Sequence, residues 1–346
     1  MKYLFPIAFA CGLMLPSCNS SEPKETPTEP QVVNLYSHRH YDIDQEIFNR
    51  FEQETGVKVN VVKASADELL VRLQQEGANS PADVLITSDA GRLVEAASGG
   101  YFQPYSSTRI DSLVPNYLRD ENKLWTGLTM RARIIVASKD RVPQGKISRY
   151  EDLALPEWKG KVLSRPSSSL YNQSLLASFI AGMGDSAALA WTKSVRENMA
   201  RDPKGNDRDQ VMAIQGGEGD VALINTYYLG LLLNSEKPEE QAAGNSVYVI
   251  FPNQNDRGSH VNVSGAGILK NAPNKANAEK LLEFLLSEDV QRMYADANYE
   301  YPVRMGTQPS ALLQSWGTFT MDSLNLSQLG AYNGRAIEIF NEAGWE

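Results

Sequence analysis

From Val32 onward, short apolar runs rich in β-branched residues alternate with segments of helical period, which restricts the chain to α/β layers with mainly parallel strands. Val32-Val33-Asn34-Leu35-Tyr36 reads as the first strand. Asp42-Ile43-Asp44-Gln45 then fits a capping box, and Ile43, Ile47, Phe48 and Phe51 line one helical face until Gly56 stops it. A strand over 57–62, a helical segment over 65–75 and a strand over 83–87 continue the alternation, with no internal repeat of fixed period. Two longer extended segments, 124–138 and the small-residue run 261–269, are suited to cross between lobes. The expected division is 32–130 plus about 256–305 for lobe 1, and 131–255 plus about 306–346 for lobe 2. Two lobes joined by extended crossovers leave a ligand cleft between them. With 346 residues, 42% of them apolar, such a body needs no disulfide or metal to hold its core.

The first apolar stretch, Met1 to about Leu15, carries the single early cation Lys2 and is too short for a stable membrane span. It reads as a secretion signal over residues 1–17. Its end, Leu15-Pro16-Ser17-Cys18, resembles the bacterial lipobox, in which a small residue precedes a cysteine that is acylated and becomes the new N-terminus. The plainer reading is a cleaved signal followed by a stray cysteine. With Cys11 removed and Cys18 lipidated, the mature chain has no thiol and no disulfide, which removes cysteine nucleophiles, zinc-thiolate sites and redox pairs. Residues 18–31 hold three prolines and no apolar anchor, and so form an extended tether. Anchor, tether and globular body describe an extracytoplasmic protein held beside a bacterial membrane that it does not cross, facing the periplasm or the cell surface. A net charge of −9 without any basic run argues against nucleic acid and for a small or cationic partner.

Three places put polar aromatic side chains just past a strand's C-terminal end, where open α/β sheets bind ligands. His38-Arg39-His40-Tyr41 follows the first strand, Tyr171 follows a strand over 161–165, and Tyr227-Tyr228 follows a strand over 221–224. Each leads into a helix. A phenol, with a pKa near about 10, is a poor anion alone, but a hard, highly charged cation displaces its proton and holds the phenolate. Ferric ion suits such donors. Thiolates suit softer ions and an all-carboxylate cage suits Ca²⁺ or Mg²⁺, so a thiol-free Tyr/His cluster selects against those.

The segments that carry these residues also carry a family likeness. Leu35-Tyr36-Ser37 with Arg39-His40-Tyr41, Gly77-Ala78-Asn79-Ser80-Pro81-Ala82-Asp83-Val84, Pro156-Glu157-Trp158-Lys159-Gly160-Lys161-Val162, Tyr171-Asn172-Gln173-Ser174-Leu175, Asn225-Thr226-Tyr227-Tyr228 and Glu300-Tyr301-Pro302-Val303 resemble the ferric-ion-binding receptors of bacterial ABC importers, in a branch found among cyanobacteria and related sequences. The likeness covers essentially all of 32–346. It implies a type II periplasmic-binding-protein-like fold, α/β with two lobes, a mainly parallel sheet in each and extended crossover strands. It also implies a monomer that is not an enzyme and that delivers iron to an ABC permease. Carried over position by position, the metal ligands are His40 and Tyr41 from lobe 1 and Tyr171, Tyr227 and Tyr228 from lobe 2. Arg131 is the arginine behind them that offsets excess phenolate charge. Fe³⁺ is the transported ligand, Fe²⁺ the alternative, and a sixth position is left to water or a small anion. Some relatives carry an arginine three residues after the second paired tyrosine, where this chain has Leu231.

Plainer roles fit the other candidates. Most of the 15 tyrosines are packing residues: Tyr36 and Tyr248 read as strand positions, and Tyr299 and Tyr301 as packing at a helix end. His38 is a solvated neighbour or a substitute for His40, and His260 falls in a loop. With three histidines and no Gly-x-Ser-x-Gly elbow, phosphate loop or His-Glu-x-x-His helix, enzyme readings are weak. A receptor of the same architecture for an oxyanion or a polyamine is the strongest rival, the former because Ser167-Ser168-Ser169 opens a helix. A metal-dependent phosphoesterase requires carboxylate ligands and an open metal position, which the Tyr/His set does not offer.

Overall fold

The computed structural model describes residues 1–4 and 31–346. The signal segment from residue 5, the lipidation cysteine Cys18 and the tether as far as residue 30 lie outside the described residues. Among the described residues no helix is long and apolar enough to cross a membrane.

The alternation read from the sequence becomes β1 (Val32–Ser37), α1 (Asp42–Thr55), β2 (Lys58–Lys63), α2 (Ala66–Glu76), β3 (Val84–Thr87), α3 (Ala90–Ser98), β4 (Phe102–Gln103) and α4 (Thr108–Leu113). The long strand β5 (Thr126–Ser138) leads to β6 (Val162–Leu163), α5 (Leu170–Met183), α6 (Asp185–Glu197), α7 (Asp207–Gln215), β7 (Val221–Asn225), α8 (Thr226–Leu233), α9 (Pro238–Asn245) and β8 (Val247–Ile250). The chain returns through β9 (Val261–Leu269), α10 (Lys275–Leu285), α11 (Glu288–Asn298) and β10 (Tyr301–Pro302), and ends in α12 (Ala311–Ser315) and α13 (Ser327–Glu342). Gly56 terminates α1 with φ +70°, a left-handed turn that costs glycine no Cβ clash. The α1 face of Ile47, Phe48 and Phe51 is buried, each side chain contributing roughly 1.5–3 kcal/mol.

The strands follow the order β2-β1-β3-β9-β5-β7-β6. Parallel pairing joins β1 to β2 and β3, and β6 to β7. The expectation of mainly parallel sheets needs correction at the centre: β9 pairs antiparallel with β3 and β5, and β5 pairs antiparallel with β7 and β8. A strand entered by a crossover from the other lobe is free of the right-handed βαβ connection that keeps the outer strands parallel. Strand β5 serves both lobes, pairing with β9 through Ala132 and with β7 from Arg133. Every residue of β5 and of β9 is buried, as befits strands covered on both faces. Helix α5 is apolar almost all round and is buried from Asn172 to Ile180, with α6 and α13 packed on it. Helix α13 also lies on α3 at close range: a Cβ on Gly330 would sit 2.5 Å from the Val94 side chain.

Candidate metal centre

Helix α1 caps one residue earlier than the sequence pattern indicates. Tyr41 is the N-cap, in extended conformation, and its amide donates to the Asp44 carboxylate at 3.3 Å. The expected Asp42/Gln45 box fails because Asp44 turns inward, accepting from Arg39 Nε at 3.0 Å. Tyr41 therefore stands at the junction of β1 and α1. Tyr171 is the second residue of α5, and Tyr227 and Tyr228 are the second and third of α8, directly after β7.

These junctions bring the sequence-predicted residues together. The Tyr227 hydroxyl donates to the Tyr171 hydroxyl at 3.1 Å. Tyr41 stands edge-on to Tyr227, with ring centres 6.2 Å apart and planes at 78°. Tyr228 lies 4.3 Å from Tyr227 and 6.4 Å from Tyr171, and His40 stacks on Tyr41 at 5.2 Å. Tyr227 is 2% exposed, Tyr41, Tyr171 and Tyr228 are half-buried, and His40 is exposed at the mouth. The mouth is a cleft of about 590 Å³ lined by His40, Tyr41, Tyr228, Glu46, Arg208 and Leu231 among others.

The remaining histidines stand elsewhere. His38 faces away onto Ser88 Oγ, 2.8 Å from its Nδ1, and burial, with help from His40 and Arg131, lowers its pKa to about 4. It is a neutral partner of Ser88. His260, read from the sequence as a loop residue, is buried immediately before β9, and burial followed by Arg257, Arg131 and Arg133 holds it well below the usual histidine range. Ser169 of the serine run is the α5 N-cap and is buried.

Burial raises the Tyr41 and Tyr227 phenols well above their ordinary range, and neighbouring phenols raise them further. Tyr228 is raised for the same reasons. Arg39 opposes this at Tyr41, Arg131 at Tyr227 and Arg165 at Tyr228. At neutral pH these groups keep their protons until a cation displaces them.

Sequence reasoning missed the support behind Tyr41. Arg39, 2% exposed, is held by Asp44 at 3.0 Å, by Glu300 at 3.0 Å, by Ser264 Oγ at 2.9 Å and by Thr129 Oγ1 at 3.2 Å. Its guanidinium lies 4.9 Å from the Tyr41 and Tyr294 ring centres, a cation–π clamp that fixes the Tyr41 ring. Arg39 and Glu300 both lie in segments that carry the family likeness, but 261 positions separate them and nothing local signals the pair. Arg131, on β5, donates to the Ser88 carbonyl, lies 3.9 Å from Asp89 and places Cζ 5.5 Å from the Tyr171 ring centre. Arg165 approaches the same ring, at 5.0 Å. Asp89 also accepts from Ser174 Oγ of α5 at 2.8 Å and from Asn262 Nδ2 of β9 at 2.8 Å, tying the start of α3 to both elements.

Residues 79–317, more than half the chain, match the bacterial extracellular solute-binding proteins. The chain belongs to this family. This solute-binding protein is 48% identical over 336 residues to iron uptake protein A1 of Synechocystis sp., covering 96% of this chain and 93% of that protein. It is similar at 47% identity, with a TM-score of 0.88, to a Trichodesmium protein (IdiA, FutA) in complex with iron and citrate ligands, over 91% of this chain and 100% of that one. A ferric binding protein from Campylobacter jejuni matches at 43% identity and a TM-score of 0.87, over 91% and 100%.

Proposed function

We propose that this solute-binding protein captures ferric ion through His40, Tyr41, Tyr171, Tyr227 and Tyr228 and hands it to an ABC-type permease. The observation that carries this reading is the Tyr227–Tyr171 hydroxyl contact of 3.1 Å inside a ring cluster that also holds Tyr228, and Tyr41 and His40 from the β1–α1 junction. Hydroxyls gathered in this way suit a hard trivalent cation that replaces their protons. Among the described residues no group of three or more His, Cys, Asp or Glu side chains is placed to hold a metal, so a carboxylate-based hydrolytic centre lacks its ligands there. The reading is of a receptor, in keeping with the solute-binding family to which the chain belongs. Water or a small anion takes the sixth position. Fe²⁺, a weaker Lewis acid, binds the same donors less tightly.

With the lobes divided at 32–130 plus 256–305 against 131–255 plus 306–346, the ligands come from both. Ion binding then favours the closed form, because the donors are assembled only there. Acylated Cys18 tethers the body to the membrane; Cys18→Ser moves the protein from the membrane to the soluble fraction, and retention of the variant in the membrane fraction would count against the anchor.

Affinity has a definite pH sense. Burial keeps the Tyr41, Tyr227 and Tyr228 phenols protonated at neutral pH, so each that becomes a ligand releases one proton. Ferric affinity thus falls as pH drops, by about a decade per pH unit for each proton released. Equilibrium competition against a chelator of known protonation, from pH 8 to pH 5, tests the ferric-phenolate reading. A pH-independent affinity would contradict it.

A further inference from the structure

We propose that Arg165 is the residue that balances the charge of a four-tyrosinate ferric site, a positioning role that rests on the ferric reading above. Three phenolates neutralise a ferric ion and a fourth leaves one negative charge, so the site needs a cation not already committed to a carboxylate. The buried arginines differ in this respect. Arg39 lies against two carboxylates, Asp44 and Glu300, each at 3.0 Å. Arg131 faces one, Asp89, at 3.9 Å. Arg133 and Arg165 share a single carboxylate, Asp207, and share it unequally. Arg133 Nη1 donates to Asp207 Oδ2 at 2.7 Å, and the Asn225 amide donates to the same oxygen at 2.8 Å. Arg165 Nη1 stays 3.6 Å from Asp207 Oδ1, beyond hydrogen-bonding range.

On the Tyr171 and Tyr228 side of the cluster, two arginines against the one carboxylate Asp207 leave one positive charge, and Arg165, the more distant of the two, carries it. Its Nε and Nη1 are both buried without a hydrogen-bond partner, against one such nitrogen in Arg131 (Nη1) and one in Arg133 (Nε), an expensive state for a cation unless a negative charge arrives nearby. Its Cζ lies 5.0 Å from the Tyr171 ring centre, closer than that of Arg131, and its backbone carbonyl is pinned by Trp345 Nε1 at 3.0 Å. Leu231, on the cleft wall beyond Tyr228, brings no charge. Deprotonation of Tyr171 and Tyr228 on metal binding supplies negative charge beside Arg165, whose carboxylate, Asp207 at 3.6 Å, is shared with Arg133.

The test compares Arg165→Met, Arg165→Gln and Arg165→Lys with the unaltered protein, measuring ferric affinity by chelator competition, the phenolate-to-iron absorption band and the reduction potential of the bound iron. Thermal melts of the iron-free proteins verify folding. The two neutral variants lose affinity about tenfold or more, the scale seen for outer partners of metal ligands. Their reduction potentials shift to more negative values, because removing a cation favours the more highly charged ion. Arg165→Lys retains most of the affinity and the potential. Full affinity or an unchanged potential in both neutral variants overturns the assignment, as does an equal loss in Arg165→Lys, which would indicate shape instead of charge. Absence of ferric binding in the unaltered protein overturns the ferric reading and this inference together, whereas normal binding there with undiminished binding in the neutral variants overturns the Arg165 role alone.

Discussion

Tyr227→Phe lowers ferric affinity by more than about a hundredfold and leaves the fold intact. Outer partners of metal ligands alone are worth 10–100-fold, so loss of a direct donor at the centre of the cluster exceeds that range. Tyr227 is the central member: it donates to Tyr171, lies edge-on to Tyr41 and packs beside Tyr228. Phenylalanine occupies the same 2% exposed space and forfeits one hydrogen bond, a cost of about 1 kcal/mol to the iron-free protein. Chelator competition and a melt of the iron-free variant, run together, separate the two effects. An unchanged affinity, or a collapsed fold, would contradict this placement of Tyr227.

Arg39→Met destabilises the iron-free protein by about 3–5 kcal/mol, the range for removing one partner of a buried ion pair. The loss does not come mainly from packing, since methionine fills much of the same volume. It comes from Asp44 and Glu300, which remain buried at 2% and 1% exposure without the guanidinium. Burial already pushes the Asp44 carboxyl up, and Arg39 pulls it part of the way back. Without Arg39 the folded protein binds a proton at Asp44 more readily than the unfolded chain does, so the variant's deficit is largest at neutral pH and shrinks as pH falls toward 5. Urea unfolding of both proteins at pH 7 and pH 5 reads this out. A deficit below about 1 kcal/mol at pH 7, or one that grows on acidification, would show that Arg39 does not hold these carboxylates.

The features that local pattern encodes were legible. Apolar periodicity located β1, β7, α1 and α5, and with them the strand-to-helix junctions on which Tyr41, Tyr171, Tyr227 and Tyr228 gather. The family likeness of those segments is matched by relatives that share close to half of their residues with this chain. Long-range electrostatics was not legible. The capping box of α1 moved by one residue because Asp44 answers Arg39, and Arg39 answers Glu300 from the far end of the chain. Strand direction at the crossovers was equally hidden, because a period-two apolar run looks the same whether its neighbour is parallel or antiparallel. Arg131 stood out on a long extended run, whereas Arg165 follows a two-residue strand, and only the sharing of Asp207 shows which cation is in surplus.

Ferric ion held by these tyrosines as phenolates would absorb visible light. The most direct measurement is a visible absorption titration of the metal-stripped soluble body, starting at Val32, with a weakly chelated ferric salt at neutral pH. A phenolate-to-iron charge-transfer band is expected that saturates at one ion per protein and is lost or shifted in Tyr227→Phe. A titration that produces no such band, or the same band in Tyr227→Phe, would contradict ferric binding by these phenolates.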